Sequence, residues 1–416
     1  MLNAMPQTKA EECIRFNPFT AEFKHNPYPV YRRLREIKPV HKTLGMWVLT
    51  RHADVLAILR DRSFSAGLIP QMVSMHVEKS QITADRVELL GKKSLVFTDN
   101  PDHARLRGIV NRAFTPQSIS NLRPRVATLV DQFLDRVSTT SEFDLIAELA
   151  EPLPSLVMQD WMRLPASIRD QVGPWAHDIR FLLEPGLMKP SELSRVHNAV
   201  DAFGAALDEA IEYRRRKPGD DLISNLLAVQ TSGGDRLSSD ELCVICMMFF
   251  AAANETTKSL IGNAFLALAQ HRDQDALLRE RPELVRNFIT EVLRYDSPVQ
   301  VTKRCATRDT EIGGELIRVG DRVLLCLGGA NRDPAIFEHP DLFDITRPAQ
   351  RHLAFGFGMH GCLGGALAEL QTEIAFEWVL RRGARIELTT EQPEWQDESI
   401  ILRGLQRFPV VMRGAR

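Results

Sequence analysis

The stretch from Ser238 to Gln270 constrains the fold more than any other part of the chain. Ser238 and Glu241 form an S-x-x-E capping box, a signature of a helix start. Behind it comes the apolar run Val244 to Ala253, and apolar residues continue to about Gln270. The pattern predicts one uninterrupted helix of roughly 45 Å at 1.5 Å per residue. A helix of that length crosses a whole domain, so the remaining elements must pack around it. The ten-residue apolar run is too short to cross a bilayer, and no membrane insertion is expected.

The other helical signals agree with a mainly α chain carrying a smaller β-rich part. Helices are expected over 26–36, 52–60, within 103–137, 141–181 and 190–216, then over 282–295 and 363–382. Strands are expected at 46–50, 299–304, 311–313, 322–327, 384–388 and 407–412. Residues 63–97 show no clean period and read as an irregular binding loop. The run RRRK, 214–217, reads as cations placed favourably at a helix C-terminus. The expected division is a polar arm over 1–25 and a single catalytic domain over 26–416.

With 52 basic against 54 acidic residues, the chain gives no support to a nucleic-acid partner. The first twenty residues lack the apolar centre of a signal peptide, which predicts a cytoplasmic protein. Six cysteines in 416 residues are too sparse for a disulfide scaffold. Cys243 and Cys246 make a CxxC pair, but they lie inside the apolar run with no second pair at zinc spacing, and read as core residues.

Cys362 is different. It sits in FGFGMHGCLGG, 355–365, where five of eleven residues are glycine, just before a helical segment. No disulfide partner or set of three further zinc ligands has sensible spacing. N–H groups at a helix start are expected to lower the pKa of a thiol and stabilise its thiolate. The glycines would let a large flat ligand approach the backbone. A thiolate held in this way suits the axial position of haem iron.

Here the chain resembles the cytochrome P450 family of haem-thiolate monooxygenases. The family signature F-G-x-G-x-[HR]-x-C-x-G is met by Phe355, Gly356, Gly358, His360, Cys362 and Gly364. The oxygen-binding motif [AG]-G-x-[DE]-T-[TS] fits Ala252 to Thr257, except that Ala253 replaces the usual glycine. His103 and Arg107 match the family's H-x-x-x-R helix, and Glu291 with Arg294 its E-x-x-R pair. The motifs stand in family order and the resemblance covers the chain from about Asn26 onward.

The resemblance implies a single-domain cytochrome P450 fold, with haem b (iron protoporphyrin IX) between the long helix and the helix after the cysteine loop. Cys362 would be the iron ligand, with Phe355 packed against it and Gly364 beside it. His103, Arg107, Arg304 and His360 would hold the propionates as cationic donors. Glu255 and Thr256 would deliver protons to O2, in a helix loosened at that point. Glu291 and Arg294, with Arg347, would tie the core. Pocket walls are expected from Met248, Ala251, Ala252, Val299, Gln300 and Ile400, with the turn at Ile401 and segments 65–96 and 181–190. The expected function is insertion of one oxygen atom into a C–H or C=C bond of a mid-sized, largely apolar small molecule by a bacterial, monomeric enzyme. Electrons would pass from NAD(P)H through a ferredoxin reductase and a ferredoxin, docked on a basic patch of Arg105, Arg112 and Arg351. Oxidative coupling, peroxide-driven turnover and a non-catalytic haem-thiolate sensor stay open as alternatives.

Overall fold

The computed structural model describes residues 16–67, 85–137, 142–184, 188–231, 234–348, 352–389 and 392–414. The long helix runs from Ser239 to Gln270 without a break. The capping box is formed: the Glu241 N–H donates to Ser238 Oγ at 3.1 Å, and the Ser238 N–H to Glu241 Oε2 at 3.0 Å. Such a cap contributes about 1 kcal/mol. The residues from Leu242 to Met248 are all buried, including both thiols of the CxxC pair. The helices packed around this central one include Pro152–Met162, Arg169–Ile179, Pro190–Arg216, Val285–Tyr295 and Gly365–Arg381.

A five-stranded sheet flanks the helices, in the order Val40–Thr43, Met46–Leu49, Arg322–Cys326, Val301–Ala306, Phe64–Ser65. The first two strands make a hairpin turned by Leu44 and Gly45, both at positive φ (51° and 71°). That conformation matches the twist of the flanking strands. Met46–Leu49 runs parallel to Arg322–Cys326, and the other pairs are antiparallel. Near the C-terminus, Pro409–Arg413 lies between Phe143–Asp144 and Arg385–Leu388.

Three expectations are corrected. The segment 63–97 is not wholly irregular: Asp85–Lys93 is a helix, burying Val87 and Leu90. The strands Val40–Thr43 and Glu315–Ile317 were hidden by their polar residues. Residues 16–25 are no loose polar arm either. Phe16 and Phe23 are buried and stack edge-on, and Phe23 meets Tyr31 in the same way. Residues 68–84 lie outside the described part.

The E-x-x-R pair anchors the side of the domain that carries the cysteine loop. Arg294 Nε and Nη2 each donate to Glu291 at 2.7 Å, with both side chains buried. The Arg294 guanidinium also donates to the carbonyls of Asn331, Pro340 and Leu342. Glu291 further accepts from the Asp344 N–H, and Arg347 Nε approaches it to 3.3 Å. A buried ion pair is tolerated when its remaining hydrogen-bonding capacity is used, as it is here.

Candidate active site

A cavity of about 380 Å³ lies between the central helix and the cysteine loop. Most of its lining is apolar. Met248, Ala251 and Ala252 face it from the helix, Val299 and Val301 from the sheet side, and Leu363 from the loop.

The loop is held in one shape by backbone bonds. The Cys362 N–H donates to the Phe355 carbonyl at 2.8 Å, and the Gly361 N–H to the Gly358 carbonyl at 3.1 Å. Gly358 sits at φ +71°, and a Cβ there would lie 2.8 Å from the Leu59 carbonyl oxygen, so only glycine fits. Phe355 packs on Gly365, whose missing Cβ would lie 3.3 Å from the ring. The helix Gly365–Arg381 begins directly after.

Cys362 is exposed and opens into the cavity, where the surrounding protein still desolvates the thiol. Burial pushes the thiol pKa up, while the N–H groups of Gly364 and Gly365 and the Arg107 charge pull it down. Burial wins in the protein alone. The expected lowering by the helix start is therefore present but outweighed.

His103, Arg107, Arg304 and His360 come together although they are far apart in sequence. The rings of His103 and His360 are 4.4 Å apart between centroids, and Arg107, Arg304 and His360 line the cavity. His103 is buried, and burial, His360 and Arg107 lower its pKa to about 4. A ring in this state still carries one N–H to donate. The Arg304 guanidinium is buried, which lowers its pKa to about 10, so it keeps its charge at neutral pH. It bonds Thr302 Oγ1 and the Lys303 carbonyl. Among the described residues it has no carboxylate within ion-pair distance.

Thr256 and Glu255 look into the same cavity from the central helix. Thr256 Oγ1 donates to the Ala252 carbonyl at 2.6 Å, one turn back. With alanine at 253 the helix stays regular through this point, so the expected loosening is not seen. Glu255 accepts from His177 Nδ1 at 3.1 Å and lies 3.9 Å from Lys258 Nζ. Burial raises its pKa, yet the His177 hydrogen bond and the charges of Lys258 and Arg180 overcome that and hold it at about 2.

A cytochrome P450 family model matches residues 176–403, more than half of the chain. The chain is 35% identical over 412 residues to the polyketide biosynthesis cytochrome P450 PksS of Bacillus subtilis, covering 96% of this chain and 99% of that protein. It is also 35% identical to the biotin biosynthesis cytochrome P450 of the same organism, over 94% of this chain and 97% of that protein. The chain belongs to the cytochrome P450 family. Solved P450 structures share its fold. CalO2 superposes with a TM-score of 0.89 at 33% identity, covering 97% of this chain and 100% of CalO2. P450BioI, crystallised with acyl carrier protein bearing hexadec-9-enoic acid, gives 0.85 at 33%, covering 94% and 99%. This P450 is therefore a haem-iron monooxygenase, an oxidoreductase that consumes O2.

Buried polar atoms left without partners test the fit of haem to this P450. His103 Nδ1 and both ring nitrogens of His360 are buried with no hydrogen-bond partner. Asp99 is 3.7 Å from His360 Nε2, beyond hydrogen-bond reach. Together with Arg107 and the carboxylate-free Arg304, these atoms form a donor set that two propionates would satisfy. The residues fit the group.

Other expected positions fall outside the cavity of this P450. Gln300 turns away and donates from Nε2 to Tyr28 Oη (3.1 Å) and to the Ser297 carbonyl (2.8 Å). Alternation along the strand puts Val299 and Val301 inward and Gln300 outward. Ile400 is buried elsewhere, while its neighbours Ile401 and Leu402 line the cavity. The two wall segments are joined: Val299 bridges Leu402, the Gln300 N–H donates to the Ile401 carbonyl, and the Arg403 N–H to the Pro298 carbonyl, both at 2.8 Å.

The basic patch is also changed. Arg105 is bonded to Glu241 and lies 3.4 Å from Asp235, and Arg112 bonds the Gln230 carbonyl at 2.6 Å. Arg351 lies outside the described residues. Sequence reading missed Lys303 and Arg180 in the cavity wall and His177 beside Glu255. No helix among the described residues is long and apolar enough to cross a membrane.

Proposed function

We propose that this P450 inserts one oxygen atom from O2 into a C–H or C=C bond of a mid-sized, largely apolar small molecule. The substrate sits in the cavity between Cys362 and the Met248–Ala252 stretch. The observation that carries this reading is that Cys362 and the pair Glu255–Thr256 face one apolar cavity from opposite walls. A sensor without turnover has no need for an acid and an alcohol there.

Haem held in this cavity supplies the chemistry of O2 activation. Cys362 would supply the thiolate that ligates the haem iron and adds electron density to it. His103, Arg107, Arg304 and His360 would hold the propionates, and Phe355 would shield the sulfur. The Thr256 hydroxyl, anchored on the Ala252 carbonyl, keeps a lone pair for a proton donor in the cavity. Glu255 passes protons toward it. Met248, Ala251, Val299 and Ile401 orient the substrate and exclude water. Electrons come from NAD(P)H through a ferredoxin reductase and a ferredoxin, in a cytoplasmic monomer.

The test is spectroscopic. The reduced, CO-bound wild type shows the red-shifted Soret band of thiolate ligation, and Cys362→His loses it. A wild-type band of the histidine-ligated kind overturns the reading.

A further inference from the structure

A second cavity, of about 210 Å³, lies behind Glu255 on the side away from Cys362. Polar side chains make up most of its lining residues, among them His177, Lys258, Ser259, Gln396, Glu398 and Gln406. Glu255, Arg180 and Leu402 line both cavities, so the Glu255 side chain stands in the partition between them. His177 bridges two carboxylates there. Its Nδ1 lies 3.1 Å from Glu255 Oε1, and its Nε2 lies 3.5 Å from Glu398 Oε2. The imidazole is 40% exposed and Glu398 46%, against 19% for Glu255. Exposure falls steadily from the surface to the partition.

We propose that His177 is the positioning residue through which protons enter from the second cavity and reach Glu255. This rests on the reading of Glu255 and Thr256 as the proton-delivering pair. Nε2 takes a proton from water or from Glu398, giving an imidazolium. Nδ1–H then gives its proton to the Glu255 carboxylate, leaving a neutral ring and a carboxylic acid. Exchange with water in the second cavity, which takes the Nε2 proton and returns one to Nδ1, restores the starting tautomer. Charge is conserved at each step, and no oxidant or reductant is involved.

The surrounding groups suit such a relay. Lys258 faces Glu255 from the central helix at 3.9 Å and is shared with Glu151 at 3.3 Å. Arg180, one residue past the His177 helix, bonds Glu398 and fixes the outer carboxylate. Phe181 meets the His177 ring edge-on at 5.8 Å between centroids and limits its swing. The charged groups facing the imidazole are thus Glu255 and Lys258 from the central helix, Glu398 from the C-terminal turn, and Arg180 from the helix end.

The experiment compares wild type with His177→Gln, which keeps a hydrogen bond to Glu255 but cannot titrate. Both must first show the thiolate CO band and a substrate-induced spin shift. In wild type the fraction of electrons reaching product depends on pH. In His177→Gln that fraction is lower by about tenfold and does not vary with pH. The loss is smaller than the ~10²-fold of an acid at the reacting atoms, because water still reaches Glu255 through the second cavity. Glu398→Gln gives a smaller loss of the same kind. A readout independent of turnover is histidine-labelled NMR of the CO-bound protein. The resonance missing in His177→Gln moves in chemical shift in Glu255→Gln, which removes the carboxylate it contacts. Wild-type coupling and an unchanged pH profile in both His177→Gln and Glu398→Gln overturn the proposal. If the wild type itself lacks the thiolate band, the reading of the whole site fails instead. Should His177→Gln not bind haem, Glu398→Gln and the NMR shift decide the matter alone.

Discussion

The two walls of the main cavity are built differently. On the cysteine side, the loop 355–365, the Glu291–Arg294 pair and the segment 331–347 are tied by buried hydrogen bonds at nearly every turn. Even Asn331 is used twice, accepting from the Leu353 N–H and donating to Ser297 Oγ. The opposite wall is made of apolar side chains from a helix and two turns, with a few charged groups at its margin. One wall fixes a metal ligand with little freedom. The other fixes little beyond volume and proton access, which leaves room for different substrates on one frame.

Breaking the frame has the largest expected effect. Glu291→Ala leaves the Arg294 guanidinium buried without its carboxylate and destabilises the fold by about 3–5 kcal/mol. Thermal unfolding and haem retention measure this, and a change under about 1 kcal/mol would show that the two walls do not differ in rigidity. On the opposite wall, Thr256→Ala leaves the fold and haem binding intact but sends electrons to peroxide, lowering coupling by about 10²-fold, the low end of what a positioned proton-transfer group contributes. Measuring product formed per NAD(P)H consumed tests this, and unchanged coupling removes Thr256 from the proton path. The smallest effect maps the wall itself. Ile401→Ala weakens substrate affinity by about 1–2 kcal/mol, for about two lost methylene-sized contacts, whereas Ile400→Ala leaves it unchanged. Titration of the spin-state shift separates the two, and equal losses would place both residues in the cavity.

The difference between the walls also explains what could be read from sequence. The cysteine loop, the E-x-x-R pair and the capping box are local patterns in which few residue types satisfy tight backbone geometry, so each is visible in one window. Arg347, 56 residues from Glu291, follows only because the E-x-x-R pair calls for a third member. The opposite wall depends on which face of an irregular segment points inward. There Gln300 and Ile400 were placed wrongly by one residue. Period-two alternation around Val299 and Val301 could have corrected Gln300. The lowered pKa of His103 and the pairing of Arg105 with Glu241 arise from tertiary structure, to which no local pattern points. His177 belongs to no motif and gains meaning only from standing 3.1 Å from Glu255.

The backbone bridge between 298–301 and 401–403 has a consequence for how such a pocket can change. Because Val299 pairs with Leu402 and the Gln300 N–H holds the Ile401 carbonyl, the two wall segments share one geometry. An insertion in either shifts the other, so the segments form a single heritable unit despite the hundred residues between them. A graft from a relative with another substrate range must carry both pieces, or it will unzip the wall it was meant to reshape.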